Sequence, residues 1–196
     1  MKKVLKTTAV FTMAIIMAHS AGAQGLEVNA NYNVSRPIGR EFRHFVSKTT
    51  FGSFQAAVMY AFADKIKAGI QVSYADYHHD RHDGNKNKVK TTPLLVKGEY
   101  VILDKTFIRP FVGLGAGINF VNFKQERGTF RDHDNFTKAA FQGEIGALVP
   151  FSKSSRGGVR VSASYALNTF KERDIKHLNS FNVAAGVVIP ITKGKL

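Results

Sequence analysis

TPLLVKGEYVILDKTFIRPFVGLGAGINF, residues 92–120, decides the fold. Two alternating runs flank the tight break Leu103-Asp104-Lys105-Thr106. In the first, Leu94, Val96, Tyr100 and Ile102 share one face and Lys97 and Glu99 the other. In the second, Ile108, Val112, Leu114, Ala116, Ile118 and Phe120 oppose Arg109, Gly113, Gly115, Gly117 and Asn119. Side chains on a strand alternate faces with period two, so each run has one oily face and one polar or empty face. A face of charges and glycines suits the narrow inside of a curved sheet.

The pattern repeats outward from this hairpin. Upstream, residues 26–34, 54–62 and 66–74 alternate in the same way, with Glu27, Asn29, Asn31 and Asn33 on the polar face of the first and Lys67, Gln71 and Ser73 on that of the third. Downstream, residues 139–149, 159–167 and 181–191 do so, with Gln142, Glu144 and Arg160 on the polar faces. A helical period of 3.6 fits none of the eight runs. Pro93, Pro110, Pro150 and Pro190 fall at or near run ends, where a missing N–H is tolerated. Connections after the second, fourth and sixth runs are short. Those after the first, third, fifth and seventh are long, at 35–53, 75–91, 121–138 and 168–180.

Eight strands with alternating short and long connections predict an all-β, eight-stranded antiparallel up-and-down transmembrane β-barrel with four long extracellular loops. In lipid every backbone polar group must be paired internally, and a closed barrel achieves this. Tyr32, Phe54, Tyr74, Phe120, Phe141, Tyr165 and Phe181 all fall at the loop ends of their runs, as an aromatic girdle would. An eight-stranded bore is narrow enough to be filled by side chains, so no wide pore is expected.

The remaining composition fits export. Residues 1–23 combine Lys2, Lys3 and Lys6, an apolar run and Ala21-Gly22-Ala23, the pattern of a secretory signal peptide cut before Gln24. The barrel domain then spans 24–196. No cysteine is present, which excludes a disulfide framework and thiolate chemistry. The net charge of +14 falls to +11 without the three leader lysines and points to anionic partners, nucleic acid being excluded by the compartment.

The ending AGAQ, the segment RPFVGLGAG and the final strand FNVAAGVVIPI together resemble the small bacterial outer-membrane β-barrel family of opacity-type and OmpX-type proteins. The resemblance covers residues 24–196. It implies residence in the bacterial outer membrane, with both termini in the periplasm. It also implies work as a surface or envelope protein, and members include adhesins and stress-related surface proteins. The chain departs from the family at its end, where Ile189, Ile191 and a polar tail stand in place of a terminal aromatic.

Three sets of residues are candidates for chemistry. Glu27, Lys67, Lys97, Glu99, Arg109, Glu144 and Arg160 face the bore and are expected to pair there, Glu99 with Arg109 and Glu144 with Arg160. Such a network is either a structural plug or an ion path. The loops carry Arg36, Arg40, Arg43, Arg81, Lys86, Lys88, Arg127, Arg131, Lys171 and Arg173, a basic crown suited to outer-membrane lipids and lipopolysaccharide, to anionic surface ligands or to host polyanions. His78, His79 and His82 are weak metal candidates, because they lack defined ligand spacing and Arg81 lies among them. No cofactor is expected. The chain is read as a non-enzymatic monomer serving surface interaction, adhesion or envelope integrity. The alternatives are a lipid A-modifying enzyme, for which Tyr165, His177 and Ser180 are the only grouping, and a small-solute channel.

Overall fold

The computed structural model describes residues 25–38, 42, 46, 49–80, 86–127, 130–153, 155–172 and 175–191. The strands are β1 (Leu26–Ile38), β2 (Thr50–Ala61), β3 (Ile66–Asp80), β4 (Lys86–Val101), β5 (Arg109–Arg127), β6 (Phe130–Pro150), β7 (Gly158–Glu172), β8 (Ile175–His177) and β9 (Asn179–Pro190). Each pairs antiparallel with its neighbours, and the β1–β9 pairing closes the sheet. β8 is a short piece beside β7 alone among the described residues, so the wall has eight strands.

The register fixes the width of the bore. From Leu26 the pairs run through Tyr60, Ala68, Gly98, Leu114, Gly143, Tyr165 and Phe181, and return to β1 at Arg36, ten residues further on. A climb of ten residues at about 3.3 Å each, over eight gaps of about 4.8 Å, tilts the strands by about 41° and sets the backbone about 8 Å from the axis. Side chains from opposite walls must meet at that radius.

Burial follows the alternation inside out. On β1, Glu27, Asn29, Asn31, Asn33 and Ser35 are buried while Ala30, Tyr32 and Arg36 are exposed. The outer wall is a continuous apolar belt in which Ile70, Val96, Leu114, Ile145 and Ile189 are each more than half exposed. Such a belt would be an aggregation surface in water, and in lipid it is the solvated surface.

Three of the expected loops, 75–91, 121–138 and 168–180, are largely strand. Residues 75–80 and 86–91 extend the β3–β4 hairpin, and residues 121–127 and 130–138 extend β5–β6. Period two persists there with its phase inverted. Outward positions become Asp76, His78, Lys88, Lys90 and Lys124, while Tyr77, Val89, Val121 and Phe123 turn inward and are buried. Outside the hydrocarbon layer water wets the outer face, so the apolar residues change sides.

Candidate functional site

The bore contains a closed ring of charge. β4 supplies Lys97 and Glu99, β6 supplies Glu144 and β7 supplies Arg160. Arg160 donates to Glu99 at 3.0 and 2.6 Å and to Glu144 at 2.8 Å. Lys97 completes the ring, 2.9 Å from Glu99 and hydrogen-bonded to Glu144. The two carboxylates face Gly113 from either side in the register. A Cβ at that position would lie 3.3 Å from the Lys97 Cε and 3.4 Å from the Glu99 Cγ, so glycine leaves the room the ring occupies. The Arg160 guanidinium also lies 3.8 Å from the Phe111 ring centroid, a cation–π contact on a desolvated cation. A second pair, Lys67 with Glu27 at 2.6 Å, sits beside it.

Arg109 does not join this network. Its guanidinium donates to the backbone carbonyls of Ser155 and Lys153, both at 2.9 Å, in the β6–β7 turn. The register pairs Arg109 with Leu148 and Glu99 with Gly113, which puts Glu99 deeper than Arg109 and within reach of Arg160 across the bore.

Above the ions lies an amide layer. Gln55 donates to Gln71 at 2.9 Å, and Gln71 donates to Gln142 at 2.8 Å. β3 and β6 are separated by β4 and β5 in the wall, so the last bond crosses the bore. Asn119 bonds Asn168 at 2.9 Å, and Asn168 bonds the Leu178 carbonyl at 2.7 Å. Gln55, Gln142, Asn119, Asn168 and Tyr77 help bound a cavity of about 40 Å3, room for about three waters and far below the size of a solute site.

The loop-end mouth is sealed by an apolar cluster. Phe42 and Val46, held by a backbone bond from Val46 N to Phe42 O of 2.8 Å, pack on Tyr77, Val89, Val121, Phe123 and Leu178. The Phe42 and Tyr77 rings meet edge-on at 5.3 Å. Burial pushes the Tyr77 phenol above its ordinary value, against the opposing effect of hydrogen bonds with Ser35 and Ser180. The sequence marked none of these as a unit. The inverted alternation at 75–77, 89–91 and 121–123 is the signal that could have found them.

Of the basic residues, Arg36 is exposed on the outer face of β1 and Lys88 pairs with Asp76 at 2.9 Å. The Asp76 hydrogen bond raises the Lys88 ammonium above its usual value. Lys86, Arg127, Arg131 and Lys171 lie in strands, but their side chains are outside the described residues, as are Arg40, Arg43, Arg81 and Arg173. His78 is exposed, while the His79 side chain and His82 are outside the described residues. Among the described residues no group of three or more His, Cys, Asp or Glu could hold a metal ion. The enzyme grouping is not assembled. Ser180 is buried inside the barrel and His177 is exposed, three positions away and on the other face. Tyr165 bonds instead to Asn179 at 3.3 Å.

Solved structures carry the same wall. Neisserial surface protein A is 15% identical with a TM-score of 0.60, covering 86% of this chain and 98% of that one. The N-terminal β-barrel domain of Pseudomonas aeruginosa OprF is 12% identical with a TM-score of 0.50, covering 85% and 99%. Outer Membrane Protein W of E. coli is 15% identical with a TM-score of 0.50, covering 87% and 99%. At these identities the likeness is one of fold. No curated protein sequence matches the chain. The sequence does match, over residues 7–188, the family described as outer membrane protein beta-barrel domain. Closed bore, apolar outer belt and family match agree: the chain belongs to the outer-membrane β-barrel domain family of the bacterial outer membrane.

Proposed function

We propose that this protein is a non-enzymatic, monomeric surface barrel that works at its loop-end rim, engaging anionic surface ligands or host molecules and the lipopolysaccharide around it. The termini and short turns face the periplasm in this reading. The supporting observation is the bore itself: an ion ring, a cross-bore glutamine bond and an apolar cap lie one above another. With the inside filled, the rim is the surface left for a partner, and the described part of it carries Arg36, Lys88, Lys90 and Lys124 on outward positions.

Two measurements test the reading. In planar bilayers the barrel is expected to give no stable conductance steps, and large steady steps would favour the channel alternative. Binding to an immobilised sulfated polysaccharide is expected to weaken steeply from 0.05 to about 0.5 M salt, because exposed charges are screened beyond a Debye length of about 10 Å at 0.1 M. Salt-independent binding would contradict an electrostatic rim. Lipid A mass profiles unchanged by expression are expected, and a new lipid A species would favour the enzyme alternative.

A further inference from the structure

The outer wall carries a groove that neither the sealed bore nor the charged rim explains. It is an open furrow that runs across β1 to β4 with a volume of about 450 Å3, within the range of about 300–1,000 Å3 of small-molecule sites. Ala30, Ala56 and Val72 form its floor, and Tyr32, Phe54 and Tyr74 form a wall on the loop side. The register sets them in two rows, Ala30↔Ala56↔Val72 and Tyr32↔Phe54↔Tyr74. A row of short side chains below a row of rings makes a furrow in an otherwise even apolar belt. Tyr32 and Phe54 lean together edge-on at 5.6 Å and close its upper side.

At its β4 edge the groove meets an interruption in the wall. β3 and β4 are paired up to Val72↔Leu94 and again from Ala75↔Thr91, but not between. β4 carries Pro93 there, which has no N–H to give the ladder. The β4–β5 pairing runs through Pro93↔Asn119 without a break, so the lapse is on the groove side. Backbone polar groups at hydrocarbon depth are costly without a partner.

Above the ring row the wall turns basic. Lys90 stands two residues beyond Thr92, which lines the groove, a climb of about 7 Å. Lys88 follows, with Lys124 beside it on β5 and Arg36 above Tyr32 on β1. Asp76 faces Lys90 in the register and binds Lys88, so among the described residues of this patch four cations stand with one carboxylate.

We propose that the groove holds one acyl chain of a phosphorylated glycolipid of the outer leaflet, lipid A, whose phosphate is taken by Lys90 within the field of Lys88, Lys124 and Arg36. The chemistry favours this occupant over a glycerophospholipid. An amide-linked, hydroxylated chain offers donors to the open seam at Pro93. The sugar ring that carries that chain also carries the phosphate, so both can face a wall whose cations begin about 7 Å above the groove. The proposal rests on the lipopolysaccharide part of the reading above and deepens it by adding a chain site, which a soluble polyanion cannot use.

Native mass spectrometry of the refolded barrel in zwitterionic micelles tests it, with titrations of bisphosphorylated lipid A, dephosphorylated lipid A and phosphatidylglycerol. The wild type is expected to retain one lipid A at least tenfold more tightly than either of the others. Ala56→Phe fills the floor from the lipid side and is expected to weaken lipid A binding at least tenfold. Lys88→Gln with Lys90→Gln should weaken the phosphorylated form alone. Heat-modifiable migration checks each fold, and Ala30→Ile replaces Ala56→Phe should that variant not fold. Unchanged lipid A affinity in the filled-groove variant, or equal retention of phosphatidylglycerol, overturns the proposal. Sulfated polysaccharide binding, measured on the same filled-groove protein, is expected to be unchanged, so loss of the rim reading and loss of the groove reading give different results.

Discussion

Arg160→Met is the sharpest perturbation the structure offers. Methionine keeps the length of the stem and removes the guanidinium, with its three hydrogen bonds to Glu99 and Glu144 and its contact on Phe111. Two buried carboxylates then share Lys97 alone. Breaking a buried ion network from one side costs about 3–5 kcal/mol, because a charge is left uncompensated. A value of about 4 kcal/mol corresponds to about a thousandfold in the folding equilibrium, at 1.4 kcal/mol per tenfold. The assay is reversible urea unfolding in micelles, followed by circular dichroism. The double variant Arg160→Met with Glu144→Gln leaves Lys97 and Glu99 as a neutral pair at 2.9 Å. It is expected to recover about 2–3 kcal/mol of the loss, the size of coupling seen between groups in one network. A single variant within about 1 kcal/mol of wild type, or a double variant equal to the sum of its singles, would refute the ring as a coupled unit.

Other expectations follow from single positions. Gly113→Leu forces a branched side chain against Lys97 and Glu99, where even a Cβ would sit at 3.3–3.4 Å, and should lower the urea midpoint by an overpacking cost of about 1–3 kcal/mol. Phe42→Ala removes a fully buried ring from the cap; protease cleavage within 39–49 should speed up at least tenfold while the barrel keeps its heat-modifiable migration, and an unchanged cleavage rate would count against the seal. Lys88, raised above its usual value first by the Asp76 hydrogen bond, should lose its ammonium signal in an NMR titration at higher pH than a free lysine. A folded value above the unfolded one means the pair contributes below the unfolded lysine pKa of about 10.4 and fades as pH rises through the folded value; Asp76→Asn should return the titration to the ordinary range, and no shift would sink the assignment. At 42% side-chain exposure the stability involved is small.

The wall was legible in the sequence because lipid imposes one rule on every strand, and period two records it. Where the rule changes, reading by apolar outer faces failed. Residues 75–80 and 121–127 carry Asp76, His78, Asn122 and Lys124 outward, so they resembled loops although their inward Tyr77, Val121 and Phe123 keep the strand period. The interior charges were legible as a set, since alternation places them on one face, but their partners were not. Sequence reasoning reaches hairpin neighbours first, and Glu99 with Arg109 was the natural pair. In a bore about 8 Å in radius, strands that are not neighbours touch, and Glu99 bonds Arg160 at a separation of 61 residues. Glu144 with Arg160 was within reach because the diagonal lies across one hairpin. The glutamine bond across the bore, 71 residues apart, has no local signature at all.

The order of the layers inside the barrel follows from what lies outside it. At hydrocarbon depth the surrounding lipid is as apolar as Leu114 or Ile145, so placing apolar side chains within the wall gains little over leaving them outside. Polar groups there have no water to return to, and pairing across the bore is the arrangement open to them. The ion ring and the amide layer therefore occupy the middle. Beyond the lipid at either end, water wets the outer face and the hydrophobic effect again favours an apolar inside. The loop end has Phe42, Val46, Tyr77, Val89, Val121 and Phe123, all buried in one cluster. This apolar cap stands between the water at the loop end and the ring. That protection strengthens each of its charge pairs and makes the loss of any one partner more costly. The seal and the ring are thus one device, and the outer wall and rim are the surfaces left for encounter with other molecules.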